Sequence, residues 1–151
     1  MAGLPDSVWL PHLEAADVIC FGGGDETYLA RILHEQAVKE KLLTLLQTRV
    51  YLGISAGSMV AGVALPQGLS PELFGEEEFE SDHSIGMELY DFTFIPHLNS
   101  EQCGDVREST FTTMIERFTN TTYATDDYTA LALSGGEIEI VGTGAVWKVE
   151  K

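Results

Sequence analysis

The stretch that decides the fold is VYLGISAGSMVAG, Val50 to Gly62. It begins as an apolar run of strand character, passes through Gly53-Ile54-Ser55-Ala56-Gly57, and continues into small residues that suit a helix. Glycines two positions either side of Ser55 let the backbone reverse sharply without side-chain clashes. A buried strand that turns directly into a helix is the building unit of an α/β domain.

The same alternation extends in both directions. Residues 17–21, DVICF, form a short apolar strand that stops at Gly22-Gly23-Gly24. From Glu26 to Leu46 the pattern is helical, with Leu29, Ile32 and Leu33 on one face and a leucine stripe after them. RVYLGI is the second strand, and Ser58 to Ala64 opens the next helix. Residues 66–82 read as an irregular, acidic excursion punctuated by proline and glycine. YDFTFIP alternates Tyr90, Phe92 and Phe94 as a half-buried strand does, and helix signals return from Asp105 to Phe118. The tail runs TALAL, a Gly135-Gly136 hairpin turn, EIEIVG and AVWKV. The expectation is one α/β domain over residues 1–151, with a mostly parallel sheet flanked by helices and a C-terminal antiparallel hairpin.

Composition narrows the partners. A net charge of −16 on 151 residues repels phosphates, which argues against nucleic acid and anionic membrane surfaces. Part of it is concentrated in Glu72, Glu76, Glu77, Glu78 and Glu80, a run that reads as a solvated loop. No apolar run approaches the roughly 20 residues that span a bilayer, and the N-terminus lacks a basic region followed by an apolar core. With two cysteines, Cys20 in a strand and Cys103 in a polar loop, a cytoplasmic protein without a disulfide is expected. No zinc-ligand spacing is present.

Gly53-Ile54-Ser55-Ala56-Gly57 also fits the G-x-S-x-G elbow. There, serine sits at the apex of a strained strand-to-helix turn, and the following N–H points at a developing oxyanion. The bland alternative is a serine capping a helix. A nucleophile needs a base. Of His12, His34, His83 and His97, only His97 follows a strand directly, after Pro96. In open α/β sheets, catalytic groups gather beyond the carboxyl ends of strands. For an orienting carboxylate, Asp126, Asp127 and Asp82 all remain open, since spacing does not choose among them. The triple glycine lacks both the dinucleotide spacing, because Thr27 stands where glycine is needed, and the lysine of a phosphate loop. It suits instead a backbone that approaches a substrate carbonyl closely.

Together, ADVICFGGGDETYLARIL, YLGISAGSMVAG, IPHLN, GDVRES and ATDDYTALAL resemble peptidase family S51, that of aspartyl dipeptidase (peptidase E), which also holds cyanophycinase-like members. The resemblance implies a class I glutamine amidotransferase-like (flavodoxin-like) fold and a serine dipeptidase that removes N-terminal aspartate from small peptides without metal or cofactor. It implies Ser55 as nucleophile, His97 as general base, and the amides of Gly24 and Ala56 as oxyanion hole. Asp127 falls where the family places a glutamate, one methylene longer, as third triad member; Asp82 is the alternative in the loop ahead of the histidine. Arg107 falls where the family has an arginine that recognises the aspartyl carboxylate. A planar guanidinium binds a carboxylate bidentately even in acidic surroundings. The family carries a further strand–helix–strand before ADVICFGGG. A shortened chain is therefore expected, with a sheet edge or face that a homo-oligomer could cover. Two other readings stand beside this one: a non-catalytic binding module, and a hydrolase of β-linked aspartyl peptides.

Overall fold

The computed structural model describes residues 3–75 and 86–151. These form two compact units, residues 3–64 with 86–91, and residues 65–75 with 92–151. No helix among the described residues is long and apolar enough to cross a membrane.

The first unit runs α1 (Asp6–Ala15), β1 (Val18–Phe21), α2 (Glu26–Glu35), α3 (Val38–Leu45), β2 (Val50–Gly53) and α4 (Ala56–Met59). Strands β1 and β2 pair in parallel, with Val18 opposite Val50 and Phe21 opposite Gly53. The Asp25 carboxylate accepts the Tyr28 N–H at 2.7 Å and so starts α2 right after the glycine loop. The helical stretch expected from Glu26 to Leu46 is broken. Ala37 adopts a left-handed φ of 49° and donates its N–H to the His34 carbonyl, which ends α2 before α3 begins. Ile19 and Phe21 of β1 pack with Leu33 of α2, Val38 and Leu42 of α3, and Trp9 of α1. Each such side chain contributes about 1.5–3 kcal/mol of burial free energy. The opposite face of the pair, Val18, Cys20, Val50 and Leu52, is exposed, although parallel sheets are commonly covered on both sides.

The second unit runs α5 (Leu69–Phe74), β3 (Thr93–Ile95), α6 (Glu108–Met114), a 3-10 turn (Ile115–Arg117), β4 (Thr122–Thr125), β5 (Thr129–Ser134), β6 (Glu137–Gly142) and β7 (Val146–Val149). Strand β4 takes β3 in parallel on one side and β7 antiparallel on the other. Strands β5 and β6 form the expected hairpin, turning over Gly135 and Gly136, whose φ values of 60° and 85° require left-handed backbone. Phe111, Phe118 and Trp147 cluster within ring-centroid distances of 4.8–6.1 Å.

The fold is thus mixed α/β, and the mostly parallel sheet is met in part: β1–β2 and β3–β4 are parallel, the β4–β7 and β5–β6 pairs antiparallel. Three local expectations change. The helix expected from Ser58 starts at Ala56 and stops at Met59, because the carbonyls of Val60, Ala61 and Gly62 accept N–H groups from Met87, Leu89 and Glu88 instead. The stretch from residue 66 contains α5, bounded by left-handed Gly68 and Gly75, and Arg117 clamps its Glu72 through two contacts of 2.7 and 2.8 Å. The strand in YDFTFIP shrinks to three buried residues, and Tyr90 belongs to the first unit. The acidic run at 76–80, Asp82 and His83 lie outside the described residues.

Candidate active site

In the first unit the chain leaves β2 at Gly53 and enters α4 at Ala56, with Ser55 at the helix start. Ser55 has φ 52° and ψ −121°, a conformation that strains a residue carrying a Cβ by about 1–3 kcal/mol. Both glycines of the elbow are required by packing. A Cβ on Gly53 would meet the Ser58 Cα at 2.6 Å, and one on Gly57 would collide with the Phe21 carbonyl oxygen. The Gly57 N–H donates to the Gly22 carbonyl at 2.9 Å, and the Ile54 N–H to that of Phe21 at 3.0 Å, which ties the elbow to the glycine loop after β1.

That loop lies against the serine. A Cβ on Gly23 would stand 3.3 Å from Ser55 Cβ and 3.6 Å from its Oγ, so a side chain there would crowd the hydroxyl. Gly24 next to it has φ 134°, a backbone form open to glycine. The Ala56 N–H is the first amide of α4, where a helix supplies no carbonyl of its own. Two residues that sequence reasoning did not single out also grip the elbow. The Tyr51 hydroxyl donates to the Gly57 carbonyl and the Tyr90 hydroxyl to the Ser58 carbonyl, each at 2.6 Å. Their trace in the sequence is an aromatic at the start of a strand-like run, Tyr51 after Val50 and Tyr90 ahead of Phe92 and Phe94, which reads equally well as core.

In the second unit the parallel register decides which acid meets which base. Ile95 of β3 lies opposite Ala124 of β4, so His97 and the Asp126-Asp127 pair leave their strands side by side. His97 Nδ1 and Asp127 Oδ1 are 2.6 Å apart, so the aspartate reaches despite being a methylene shorter than glutamate. A carboxylate only accepts, which places the proton on Nδ1 and leaves Nε2 as the basic nitrogen. His97 has φ 66°, a left-handed form uncommon for a non-glycine residue.

Asp126 is committed elsewhere. Its Oδ2 accepts the Ala145 N–H at 2.7 Å and its Oδ1 the Tyr128 N–H at 3.0 Å. The Ala145 amide is the main cause holding this carboxyl below the usual carboxylate range, with partial burial pulling the other way and Thr129 and Tyr128 adding to the lowering. A carboxyl lowered in the folded state leaves the unfolded chain binding more protons in acid. Its contribution to stability is therefore full above the ordinary carboxylate pKa, about 3.9, and fades as pH falls below it. In chemical denaturation, Asp126→Asn is expected to be less stable than wild type at pH 6 and to converge with it toward pH 3. A gap that stays constant across that range would contradict this assignment.

Arg107 stands in extended conformation at the start of α6. Its Nη1 donates to the Ser100 carbonyl at 2.7 Å and to that of Val106 at 3.3 Å, and no carboxylate among the described residues pairs with it. The Ser100 N–H in turn donates to the His97 carbonyl, and the Asn99 N–H to that of Val106. The guanidinium is thereby fastened to the loop that carries His97.

By family this mixed α/β chain is grouped with the peptidases. It belongs to peptidase family S51, whose family model matches residues 6–141. Among solved structures it is similar to a protein of Listeria monocytogenes EGD-e provisionally named peptidase E, with a TM-score of 0.74 and 16% identity over 95% of this chain and 68% of that one. It is also similar to a peptidase from an acI-B1 Actinobacterium, with a TM-score of 0.67 and 21% identity over 96% of this chain and 61% of that one. At these identities the likeness is one of fold, and the chain spans about two thirds of the length of either protein. No curated protein matches the chain.

Proposed function

We infer that this S51 peptidase is a serine dipeptidase that cleaves Asp-X dipeptides, with Ser55 as nucleophile, His97 as general base and Asp127 as orienting acid. The observation that carries the reading is the His97–Asp127 contact at 2.6 Å, which presents the tautomer a serine nucleophile needs. The strained Ser55 at a glycine-flanked elbow supports it from the other side of the chemistry.

In this mechanism His97 Nε2 takes the Ser55 hydroxyl proton as Oγ bonds to the scissile carbonyl carbon. The carbonyl π electrons move to oxygen, and the amides of Gly24 and Ala56 hold the resulting anion. Collapse breaks the C–N bond, and the proton on Nε2 passes to the departing amine. Water, deprotonated by His97, then attacks the acyl-enzyme, and Asp leaves with regeneration of Ser55. Asp127 stabilises the imidazolium formed at each proton transfer and does not itself take the proton. Arg107 pairs with the aspartyl side-chain carboxylate, which offsets the repulsion that a net charge of −16 imposes on an acidic substrate.

The test of specificity is a comparison of Asp-Leu, β-linked Asp-Leu and Leu-Leu hydrolysis by wild type and Arg107→Met. Loss of a charge-assisted pair is expected to raise KM for Asp-Leu and lower kcat/KM by roughly 10²-fold, with Leu-Leu little changed. An unaltered preference for aspartate in Arg107→Met would remove the role given to the arginine. Faster cleavage of the β-linked peptide would instead move the substrate assignment.

A further inference from the structure

We propose that Tyr51 and Tyr90 are positioning residues for the nucleophile, a pair of phenol clamps that fix α4 and with it Ser55 and the Ala56 amide. The inference rests on the serine-peptidase reading above.

It starts from the length of α4. A helix interior satisfies each carbonyl with the N–H four residues on. For Gly57 and Ser58 those donors would be Ala61 and Gly62, but the chain has already left the helix there, and the Gly62 N–H goes to the Met59 carbonyl at 3.3 Å. The two carbonyls are capped by the two tyrosine hydroxyls, each at 2.6 Å. The remaining carbonyls are accounted for locally. Ser55 accepts the N–H groups of Ser58 and Met59, and Ala56 that of Val60. The side-chain donors therefore sit where the backbone fails, one turn from the reacting serine.

The clamps are anchored independently of each other. Tyr51 belongs to β2, the strand that feeds the elbow, and stacks on Phe21 at a centroid distance of 5.6 Å. Phe21 supplies the carbonyl that accepts the Ile54 N–H and leaves no room for a Cβ at Gly57. Tyr90 comes from the segment whose residues 87–89 pair with Val60, Ala61 and Gly62. One hydroxyl thus ties the helix to the strand before it, and the other to the segment that ends it. Burial, chiefly, pushes both phenols well above the ordinary tyrosine pKa, so both remain donors through the neutral range. A strained turn holds its geometry only where its surroundings over-determine it, and a displacement near 1 Å at a reacting group lowers rate by about 10²-fold.

The test uses Tyr51→Phe and Tyr90→Phe, which remove one oxygen each and keep the ring. For each, kcat and KM on Asp-Leu, the rate of Ser55 phosphonylation by a fluorophosphonate, and Tm are measured. The expected result is a fall of 10- to 100-fold in kcat and in phosphonylation rate, with KM within about two-fold and the apparent pKa of the kcat/KM profile unmoved, because His97 is untouched. Wild-type kcat in both variants, with or without a lower Tm, would overturn the clamp and leave the serine-peptidase reading standing. Unfolding of both at 20 °C would also overturn it, since the hydroxyls would then be holding the unit and not the site. A folded wild type that neither cleaves nor reacts at Ser55 would overturn the underlying reading, and the clamp with it.

Discussion

Ser55→Ala is expected to lower Asp-Leu hydrolysis by about 10⁴- to 10⁶-fold in kcat, the loss that follows removal of a serine acting as one unit with its base. The fold should be little affected, because the backbone bonds that shape the elbow run through the Ser55 carbonyl, which receives the Ser58 and Met59 N–H groups. Ser55→Gly gives the complementary result. Glycine adopts φ 52° without the Cβ penalty, so this variant should be as inactive as Ser55→Ala and about 0.5–1 kcal/mol more stable than wild type. Stability gained as activity is lost is the signature of strain kept for function. Chemical denaturation beside steady-state kinetics checks both halves. A less stable Ser55→Gly would mean that the turn carries no such strain.

Gly57→Ala is expected to be the most disruptive single methyl in the first unit. The added carbon would overlap a backbone oxygen of β1, which cannot swing aside as a side chain does. Relief requires α4 to lift from the strand, weakening the Gly57–Gly22 hydrogen bond and moving Ser55. Overpacking of this kind costs about 1–3 kcal/mol, or roughly 2–4 °C of Tm per kcal/mol for a chain this size. Activity should fall by at least about 10²-fold through displacement of the nucleophile. Gly22→Ala is the stability control, since nothing among the described residues lies within 4 Å of a Cβ there. Equal Tm values for the two variants would show that the elbow is not packed against Phe21.

Much of this was legible in the sequence because it depends on local backbone needs. Gly53 and Gly57 around Ser55, the Gly135-Gly136 turn and the histidine after a short apolar strand each impose a conformation on the residues that carry it. What was hidden depends on contacts between distant segments. The choice of Asp127 over Asp126 follows from the β3–β4 register and from Ala145, which engages Asp126 from 19 residues away. The early end of α4 goes with the pairing of the residues after it, Val60 to Gly62, with residues 87–89, which no local propensity encodes. The break at Ala37 was invisible for a different reason: alanine is a strong helix former and gives no sign of a left-handed turn. The anchoring of Arg107 was hidden too, since its Nη1 is held by the carbonyls of Ser100 and Val106, contacts that only the folded loop brings to it.

The most direct measurement is the mass of the intact protein after exposure to a fluorophosphonate at neutral pH, followed by peptide mapping. One adduct located on Ser55, absent in Ser55→Ala and formed at least about 10²-fold more slowly in His97→Ala, is the expected result. A folded, unlabelled wild type, or an adduct on a residue other than Ser55, would contradict the assignment of this chain as a serine peptidase.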